Sequence, residues 1–493
     1  MKRVLFCAAA IASIASAAHA DELSDLKAQS EKLAQQNQTL ISRIDQLEKR
    51  EAKLESQPAP APAASSNTTI PSLVADDGTL TWHGVTLYGG VDLGAAYQSH
   101  GNPLNGDYGP GLEYLISKNN NKGQFSLAPN ALSYSNIGLK GTEELFPGLS
   151  AVFNLQTTFV PTSGILSNGQ QSLVDNNGVA LAKQTSNGDS SRAGQPFNGA
   201  AYFGLSSPTY GTITVGRQNA LTLDAVIAYD PNSASNAFSL IGYAGGTAGA
   251  GLTEDARLDN SVKYLVNLGP VRAGSLVQIP GGDNFTSRGA YQFDVGTDYL
   301  GLSVDALYSQ VYDGIAAAAI AAPTPAQTNQ VAGTISDNTA YMLVARYDFG
   351  PAKIYGGYEH IQFDNPQNPL AAGSEDLGGF ILGTVNNAAF TENKILEIYW
   401  TGVKYQVTPN FFLTGAWYHE YQNSFNKDNG CSNTSSAACS GDEDAFSLVA
   451  DYQFTKRFDV YAGAMYSEVQ GGLEAGFLHS STIDPTVGAR FRF

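Results

Sequence analysis

The sequence is poor in charge, in methionine and tryptophan, and in long apolar runs. Charged residues make up 15% of the chain, against about 25% in ordinary soluble domains. Methionine and tryptophan occur three times each, and after the first residues no stretch reaches the roughly 18 apolar residues of a transmembrane helix. These shortages argue against a set of soluble domains and exclude a helical membrane protein. Glycine (52) and tyrosine (25) are plentiful instead, a profile typical of an all-β sandwich, solenoid or barrel.

Signatures of catalysis and metal binding are also missing. The sequence has no HExxH, GxSxG, Walker or dinucleotide-binding motif. The glycine run Gly245–Gly251 lacks the Lys-Ser/Thr pair of a phosphate-binding loop, and His419 is the single histidine in its stretch. We therefore predict no enzymatic activity, no cofactor and no metal site. We expect no nucleic-acid partner either.

The first twenty residues predict export. Lys2 and Arg3 precede an apolar run from Val4 to about Ala18, and Ala18-His19-Ala20 offers a small-residue cleavage site. We predict a signal peptide over residues 1–20, with the mature chain starting at Asp21. The run is too short for a membrane anchor and is followed at once by a polar helical pattern.

Two cysteines remain beyond the predicted signal peptide. Cys431 and Cys439 flank a short polar segment, NGCSNTSSAACSGDED. Their spacing and exposure suit a disulfide that closes a small loop in an oxidising compartment. A metal site would need more ligands, and a free thiol is the less favoured alternative in an exported protein.

Residues 21–56 predict a helix with a heptad repeat. Leucines recur every seventh position, at Leu26, Leu33, Leu40, Leu47 and Leu54. This strict spacing favours a coiled coil over a single amphipathic helix lying on a surface. Residues 57–79, rich in proline, alanine and serine, predict a semi-rigid linker.

From residue 80 to residue 493 the pattern changes to alternation with period two. About sixteen segments resemble VTLYGGVDLGAAYQ, in which apolar and polar residues alternate. Short turns such as FPG, LGP and FGP alternate with long loops rich in asparagine, glycine and serine. A soluble sandwich would not sort its loops by length in this way. The sequence therefore predicts an all-β transmembrane barrel of about sixteen antiparallel strands.

The order of several segments resembles a known family. NIGLKGTEELFPGLSAVFNLQTTF, AAYFGLSSPTYGTITVGRQNALTLDAV, RLDNSVKY and VGARFRF are similar to segments of the Gram-negative general diffusion porins. The resemblance covers the chain from Val85 onward and implies a trimeric sixteen-stranded pore with an inward-folded third loop. The heptad helix departs from that pattern. It resembles the N-terminal extension of some sugar-specific and anion-specific porins.

In this family the third loop carries acidic residues opposite basic residues of the wall. Here that loop corresponds to residues 219–256. Its acidic candidates are Asp224, Asp230, Glu254 and Asp255. The resulting transverse field would screen solutes by size, charge and dipole.

The basic candidates come from the wall. Arg257 follows the loop and matches the arginine of the family's R-x-x-N-S-V-x-Y segment, and alternation with Leu258 predicts that it faces the lumen. Lys140 and Arg217 are further candidates, although each could equally be a solvated wall charge without a role in selectivity. The remaining residues predicted to face the lumen are Lys263, Asp92 and Arg490.

Two positions depart from the family pattern. Asn136 and Gly199 stand where relatives often carry arginines. Loss of two fixed positive charges should widen the pore and weaken any preference for anions. We therefore predict a wide, weakly selective pore.

The predicted function is passive diffusion of small hydrophilic solutes and ions across the cell outer membrane. The expected partners are two further copies of the chain, outer-membrane lipid and lipopolysaccharide, and, through the periplasmic coiled coil, the cell wall. A sugar-specific or anion-specific porin and, less favoured, a surface adhesin or receptor remain as alternatives.

The closing segment PTVGARFRF predicts a strand that ends the chain on an aromatic residue. We expect this strand to pair with the first strand near Val85 and close the cylinder. A terminal Phe493 also resembles the signal that the outer-membrane assembly machinery reads.

Overall fold

The computed structural model describes 80–101, 114–118, 120, 122–166, 174–175, 177–180, 196–241, 256–281, 285–371, 381–426, 431 and 436–493. The predicted signal peptide, coiled coil and linker lie outside these residues. No helix in the described ranges is long and apolar enough to cross a membrane.

The described chain forms nineteen β-strands, one α-helix and two 3-10 helices. The strands are β1 (Leu80–Trp82), β2 (Val85–Gln98), β3 (Gln124–Pro129), β4 (Ser135–Phe146), β5 (Leu149–Phe159), β6 (Ala200–Ser207), β7 (Gly211–Asn219), β8 (Arg257–Leu268), β9 (Val271–Gln278), β10 (Ala290–Tyr299), β11 (Leu302–Ala318), β12 (Val331–Phe349), β13 (Ala352–Asp364), β14 (Leu382–Asn386), β15 (Lys394–Thr408), β16 (Phe411–Gln422), β17 (Gly441–Gln453), β18 (Phe458–Gly471) and β19 (Ser481–Arg492). The helix α1 spans Leu221–Tyr229, and the 3-10 helices span Pro325–Gln327 and Gly472–Glu474.

All strands belong to one sheet that closes on itself. Sixteen of them pair antiparallel in chain order, and the last, β19, pairs with β2. The other three are short. β1 pairs antiparallel with the start of β2, and β3 pairs antiparallel with the second half of β2, from Leu93 to Gln98. β14 pairs in parallel with β12. The described residues thus confirm the predicted sixteen-stranded antiparallel barrel.

The chain end forms the seam of this barrel. Thr486 lies opposite Ala96 and Arg492 opposite Gly90, with the pairs between them in register. Phe493 then exchanges two backbone hydrogen bonds with Gly89, of 3.0 and 3.1 Å. The last strand is therefore paired with the first rather than left as a free edge, as a barrel in a hydrocarbon environment requires. The predicted pairing of the two terminal strands is confirmed.

Alternation along the strands separates an apolar outer surface from the interior. On β12, for example, Tyr341 and Leu343 are exposed while their neighbours Met342 and Val344 are buried. The same holds on β15, where exposed Tyr399 alternates with buried Trp400. Large apolar side chains that remain exposed on a barrel exterior are the surface that lipid would cover.

The first residues of β8, next to the long β7–β8 connection, break this alternation. Leu258, which strict alternation would place on the lipid side, is completely buried in the interior. The register between β7 and β8 shifts between Gly216 and Gln218, and Asn260 adopts a positive φ of 49°. Such a bulge adds a residue to one strand and reverses the side-chain direction beyond it. The predicted lipid-facing orientation of Leu258 was therefore wrong.

The barrel interior contains a hydrophobic core. Leu115 and Ile116, from the long connection after β2, cluster with α1 and with inward-facing residues of the wall. The described loop segments thus occupy part of the interior.

Candidate functional site

The connection between β7 and β8 lies against the inner wall. Its helix α1 begins where the Leu221 amide donates a 2.7 Å hydrogen bond to Gln292 Oε1 on β10. The helix ends where Trp400 Nε1, on β15, donates a 3.0 Å hydrogen bond to the Tyr229 carbonyl oxygen. Arg272 on β9 donates a further 3.0 Å bond to the Tyr229 hydroxyl. Since Gln292 and Trp400 point into the barrel, α1 is fixed at both ends to the interior of the wall.

Apolar packing supports these hydrogen bonds. One face of α1 is buried, and it is formed by Leu221, Thr222, Ala225, Val226 and Tyr229. It belongs to the same cluster as the wall residues Leu276, Leu307, Met342, Val344, Ile361, Leu396 and Ile398. Each buried side chain of this size contributes about 1.5–3 kcal/mol relative to full exposure. The helix is therefore held to β9–β15 mainly by its hydrophobic face.

The turn after α1 is fixed by a buried carboxylate. Asp230 has no exposed surface and accepts hydrogen bonds from the Tyr418 hydroxyl (2.7 Å) and the Ala234 amide (2.8 Å). Burial raises the pKa of Asp230, and the hydrogen bond from Tyr418 opposes that rise. Asp230 thus fastens the loop to β16. It does not face open space, which corrects its expected place at the constriction.

Asp224 lies on α1 and is neutralised locally. Its carboxylate forms an ion pair with Lys263 on β8 and accepts a 2.9 Å hydrogen bond from Asn219 Nδ2. Lys263 also donates a 3.1 Å bond to the Asn219 carbonyl oxygen. The two opposite charges therefore offset each other on one side of the lumen. Lys263 therefore does not stand across an open gap from Asp224.

A cavity of about 300 Å³ lies between α1 and the strands β4 and β5. Its lining residues are Leu132, Ser133, Tyr134, Asn136, Gln156, Thr158, Asn219, Leu223, Ile227, Ser233, Ala234, Ala256 and Arg257. Arg257 is the one charged residue in this described lining, and its guanidinium carbon lies 5.9 Å from the centre of the Tyr134 ring. Arg257 and Asn136 thus share one cavity.

Lys140 lies in a different place. It is four residues along β4 from Asn136, about 13 Å away at 3.3 Å per residue, in the direction of the short turn. There it lines a second cavity of about 380 Å³ with Asn154 and Tyr202. Its ammonium group lies 5.2 Å from the Tyr88 ring centre. The geometry does not bring Lys140 to the loop.

Arg217 is engaged by the wall. Its guanidinium forms a 2.7 Å ion pair with Asp259 and donates a 2.9 Å hydrogen bond to the Asn198 carbonyl oxygen. It lies opposite Ala201, on the side of the sheet that carries the exposed Phe203. Arg217 is not among the residues that line either cavity, which corrects its expected place at the constriction. The other two acidic candidates, Glu254 and Asp255, lie outside the described residues.

The predicted lumen residues near the seam form a charged network. Asp92 is buried and accepts hydrogen bonds from the Leu132 and Ser133 amides, each 2.8 Å, and from the Tyr461 hydroxyl. Arg490 forms a 2.8 Å ion pair with Asp459. Asp92 and Arg490 thus each have a structural partner on the wall.

Sequence reasoning missed the side chains that fix the loop. Trp400 and Tyr418 lie on inward positions of β15 and β16, where a water-filled barrel would carry small polar residues. The available signal was the run LEIYW, which is apolar on both strand faces apart from Glu397. It also missed Leu223 and Ile227, because a helix within a long loop gives no period-two pattern.

Two further observations concern the cysteine pair and metal binding. Cys431 and Cys439 form a disulfide, with Cα atoms 5.2 Å apart. In the part of the chain that the structure describes, no three His, Cys, Asp or Glu side chains converge closely enough to hold a metal ion.

A closed sixteen-stranded barrel with an apolar exterior and a loop packed inside it defines the porin class of membrane channel. The Gram-negative porin family model matches residues 7–472, so the chain belongs to that family. Membership places the protein in the outer membrane as a channel, and the family is not one of enzymes.

Two curated relatives are similar to the chain in sequence. An outer membrane porin protein of Bordetella pertussis is 24% identical over 440 residues, which are 83% of this chain and 94% of the relative. Outer membrane porin protein 32 of Delftia acidovorans is 25% identical over 316 residues, which are 63% of this chain and 70% of the relative.

Solved structures show the same fold. An anion-selective porin from Comamonas acidovorans is 18% identical, with a TM-score of 0.54 over 83% of this chain and 99% of that one. OmpT of Vibrio cholerae is 14% identical, with a TM-score of 0.52 over 84% of this chain and 99% of that one. At these identities the likeness concerns the fold alone.

The attachment of the loop through Asp230 can be tested by Tyr418→Phe. The change removes one hydrogen-bond donor and leaves a buried carboxylate short of a partner, at a cost of about 1–3 kcal/mol. We expect amide hydrogen exchange in residues 221–241 to accelerate about 5- to 150-fold, measured by mass spectrometry. Tyr421→Phe, on the same strand but facing outward, serves as the control. Equal exchange in the two variants would contradict the assignment.

Proposed function

We propose that the protein is a passive porin for small hydrophilic solutes and ions, narrowed by the loop at about 219–256. The observation that carries the proposal is the attachment of α1 to the inner wall of β9–β15, opposite the cavity that contains Asn136 and Arg257. A loop held inside a sixteen-stranded cylinder reduces a wide lumen to a path whose lining can screen solutes.

We propose further that the pore is weakly selective. Of the charges expected at the constriction, Asp224 is offset by Lys263 and Asp230 is buried beneath the loop. Arg217 is offset by Asp259. A transverse field needs opposed charges across a gap, and these pairs lie side by side. The absence of arginine at Asn136, inside the cavity, supports the same conclusion.

A second candidate is an anion-selective pore. Arg257 is a positive charge in the lining of the cavity, and one neighbour in fold is an anion-selective porin. The measurement in the next paragraph separates the two candidates.

The reversal potential in a KCl gradient across a planar bilayer tests the selectivity. For the unmodified protein we expect open, ohmic pores and a reversal potential far below the Nernst value of either ion. Lys263→Met leaves Asp224 without its counter-ion and should shift selectivity toward cations, and Asp224→Asn should shift it toward anions. The double variant restores the original balance and serves as the control. A strong anion preference in the unmodified protein would contradict weak selectivity and favour the second candidate.

We also propose a homotrimer, supported by a neighbour in fold that was solved in a trimer form, OmpT of Vibrio cholerae, with a TM-score of 0.50. In this arrangement the heptad helices of residues 21–56 would bundle in the periplasm, beneath barrels surrounded by lipid and lipopolysaccharide. The bundle would either clamp the trimer or reach toward the cell wall as a spacer, and Phe493 would serve recognition by the assembly machinery.

Deletion of residues 21–56 separates the clamp from the spacer. A coiled coil that clamps the trimer adds buried apolar contacts, so its removal should lower the temperature at which trimers dissociate in detergent. The change would be measured by the shift from trimer to monomer on heated gels. Replacing the five heptad leucines by asparagine, with the length unchanged, is the matched control. An unchanged dissociation temperature in both variants would contradict the clamp and favour the role of a spacer.

A further inference from the structure

We propose that the 300 Å³ cavity selects small uncharged solutes that are amphipathic, with one apolar face and one hydrogen-bonding face. This inference rests on the proposed porin function, because it assigns a solute class to the narrowed part of that pore. It is carried by the two chemically different sides of the cavity.

The loop side of the cavity is apolar. Leu223 and Ile227 are four residues apart on α1 and therefore lie one above the other on one helix face. Ile227 is 42% exposed, whereas its neighbour Val226, on the face that packs against the wall, is 8% exposed. Ala234 extends the apolar side. A helix inside a water-filled pore thus presents a branched hydrophobic surface to the solute path.

The wall side carries hydrogen-bonding groups. Asn136 and Gln156 contribute side-chain amides, each of which can both donate and accept. Gly199 lies close to one of them: a side chain there would start 2.6 Å from Gln156 Oε1. The glycine therefore leaves room for the amide of Gln156 on the wall.

Charge plays a smaller part in this cavity. In the described lining Arg257 is the one charged residue, and it lies over the Tyr134 ring. Asp224 and Asp230 are not among the lining residues, and each carboxylate has a wall partner outside the cavity, Lys263 and Tyr418 respectively. Water between an apolar face and an amide face has few partners on one side, so a solute with a matching apolar face displaces it favourably.

The size of the cavity limits the solute. A volume of about 300 Å³ lies at the lower end of the range of small-molecule sites, roughly 300–1,000 Å³. It accommodates a molecule of one or two six-membered rings. A two-ring solute satisfies apolar burial and hydrogen bonding together when one ring is apolar and the other is polar.

Block of the ionic current by two matched solutes tests the inference. Phenyl β-glucoside and cellobiose each join a glucose to a second six-membered ring, which is apolar in the first and polar in the second. In planar bilayers with the full-length protein, we expect phenyl β-glucoside to half-block the current at a concentration about tenfold lower, the effect of one apolar contact in a fitted pocket. Leu223→Asn with Ile227→Asn should reduce this preference to less than about threefold, because both changes remove apolar surface.

The control places the same chemical change elsewhere. Leu145→Asn, at the short-turn end of β4 and outside the cavity, should keep the tenfold preference. If the double variant forms no channels, the single Ile227→Asn variant, whose side chain is already partly exposed, carries the test. Equal block by the two solutes, or a preference that survives loss of both apolar side chains, overturns the inference. An absence of ohmic current before any solute is added would instead overturn the proposed porin function.

Discussion

The packing of α1 against the inner wall is the interaction on which the interior of this barrel depends. Closure of sixteen strands by the β2–β19 seam creates a cylinder but leaves its interior undetermined. The hydrophobic face of α1, together with Trp400 and Tyr418, fixes where the loop lies. Once that face is buried against β9–β15, the opposite face of the helix must line whatever path remains.

The same attachment determines how charge is distributed. A loop carboxylate that reaches the wall becomes part of the anchor, as Asp230 does, and one that lies beside a wall cation is neutralised, as Asp224 is by Lys263. A buried carboxylate such as Asp230 needs such partners because an unpaired charge in a region of low dielectric is costly. The acidic residues of the described loop therefore serve structure first. The polarity of the cavity is therefore determined mainly by Leu223 and Ile227 on the loop and by the amides of Asn136 and Gln156 on the wall.

Much of the fold could be predicted because a barrel in a membrane imposes a simple pattern. Period-two alternation, loop lengths and the final aromatic strand predicted sixteen strands and the seam at Phe493. The site was harder, because its geometry depends on contacts between segments far apart in sequence. The bulge at Asn260 reversed the alternation on which the orientation of Leu258 was predicted. The partners of Asp230 and Arg217 lie on other strands, and no local pattern indicates them.

The central claim, that α1 turns one face to the wall and the other to the pore, is tested most directly by cysteine accessibility. Ile227→Cys and Val226→Cys place a thiol on adjacent residues of one helix, in a chain whose Cys431 and Cys439 are bonded to each other. The account predicts that a charged, membrane-impermeant methanethiosulfonate reagent reduces the single-channel current of Ile227→Cys quickly and leaves Val226→Cys almost unchanged. Equal modification of the two positions, or faster modification at Val226, would contradict it.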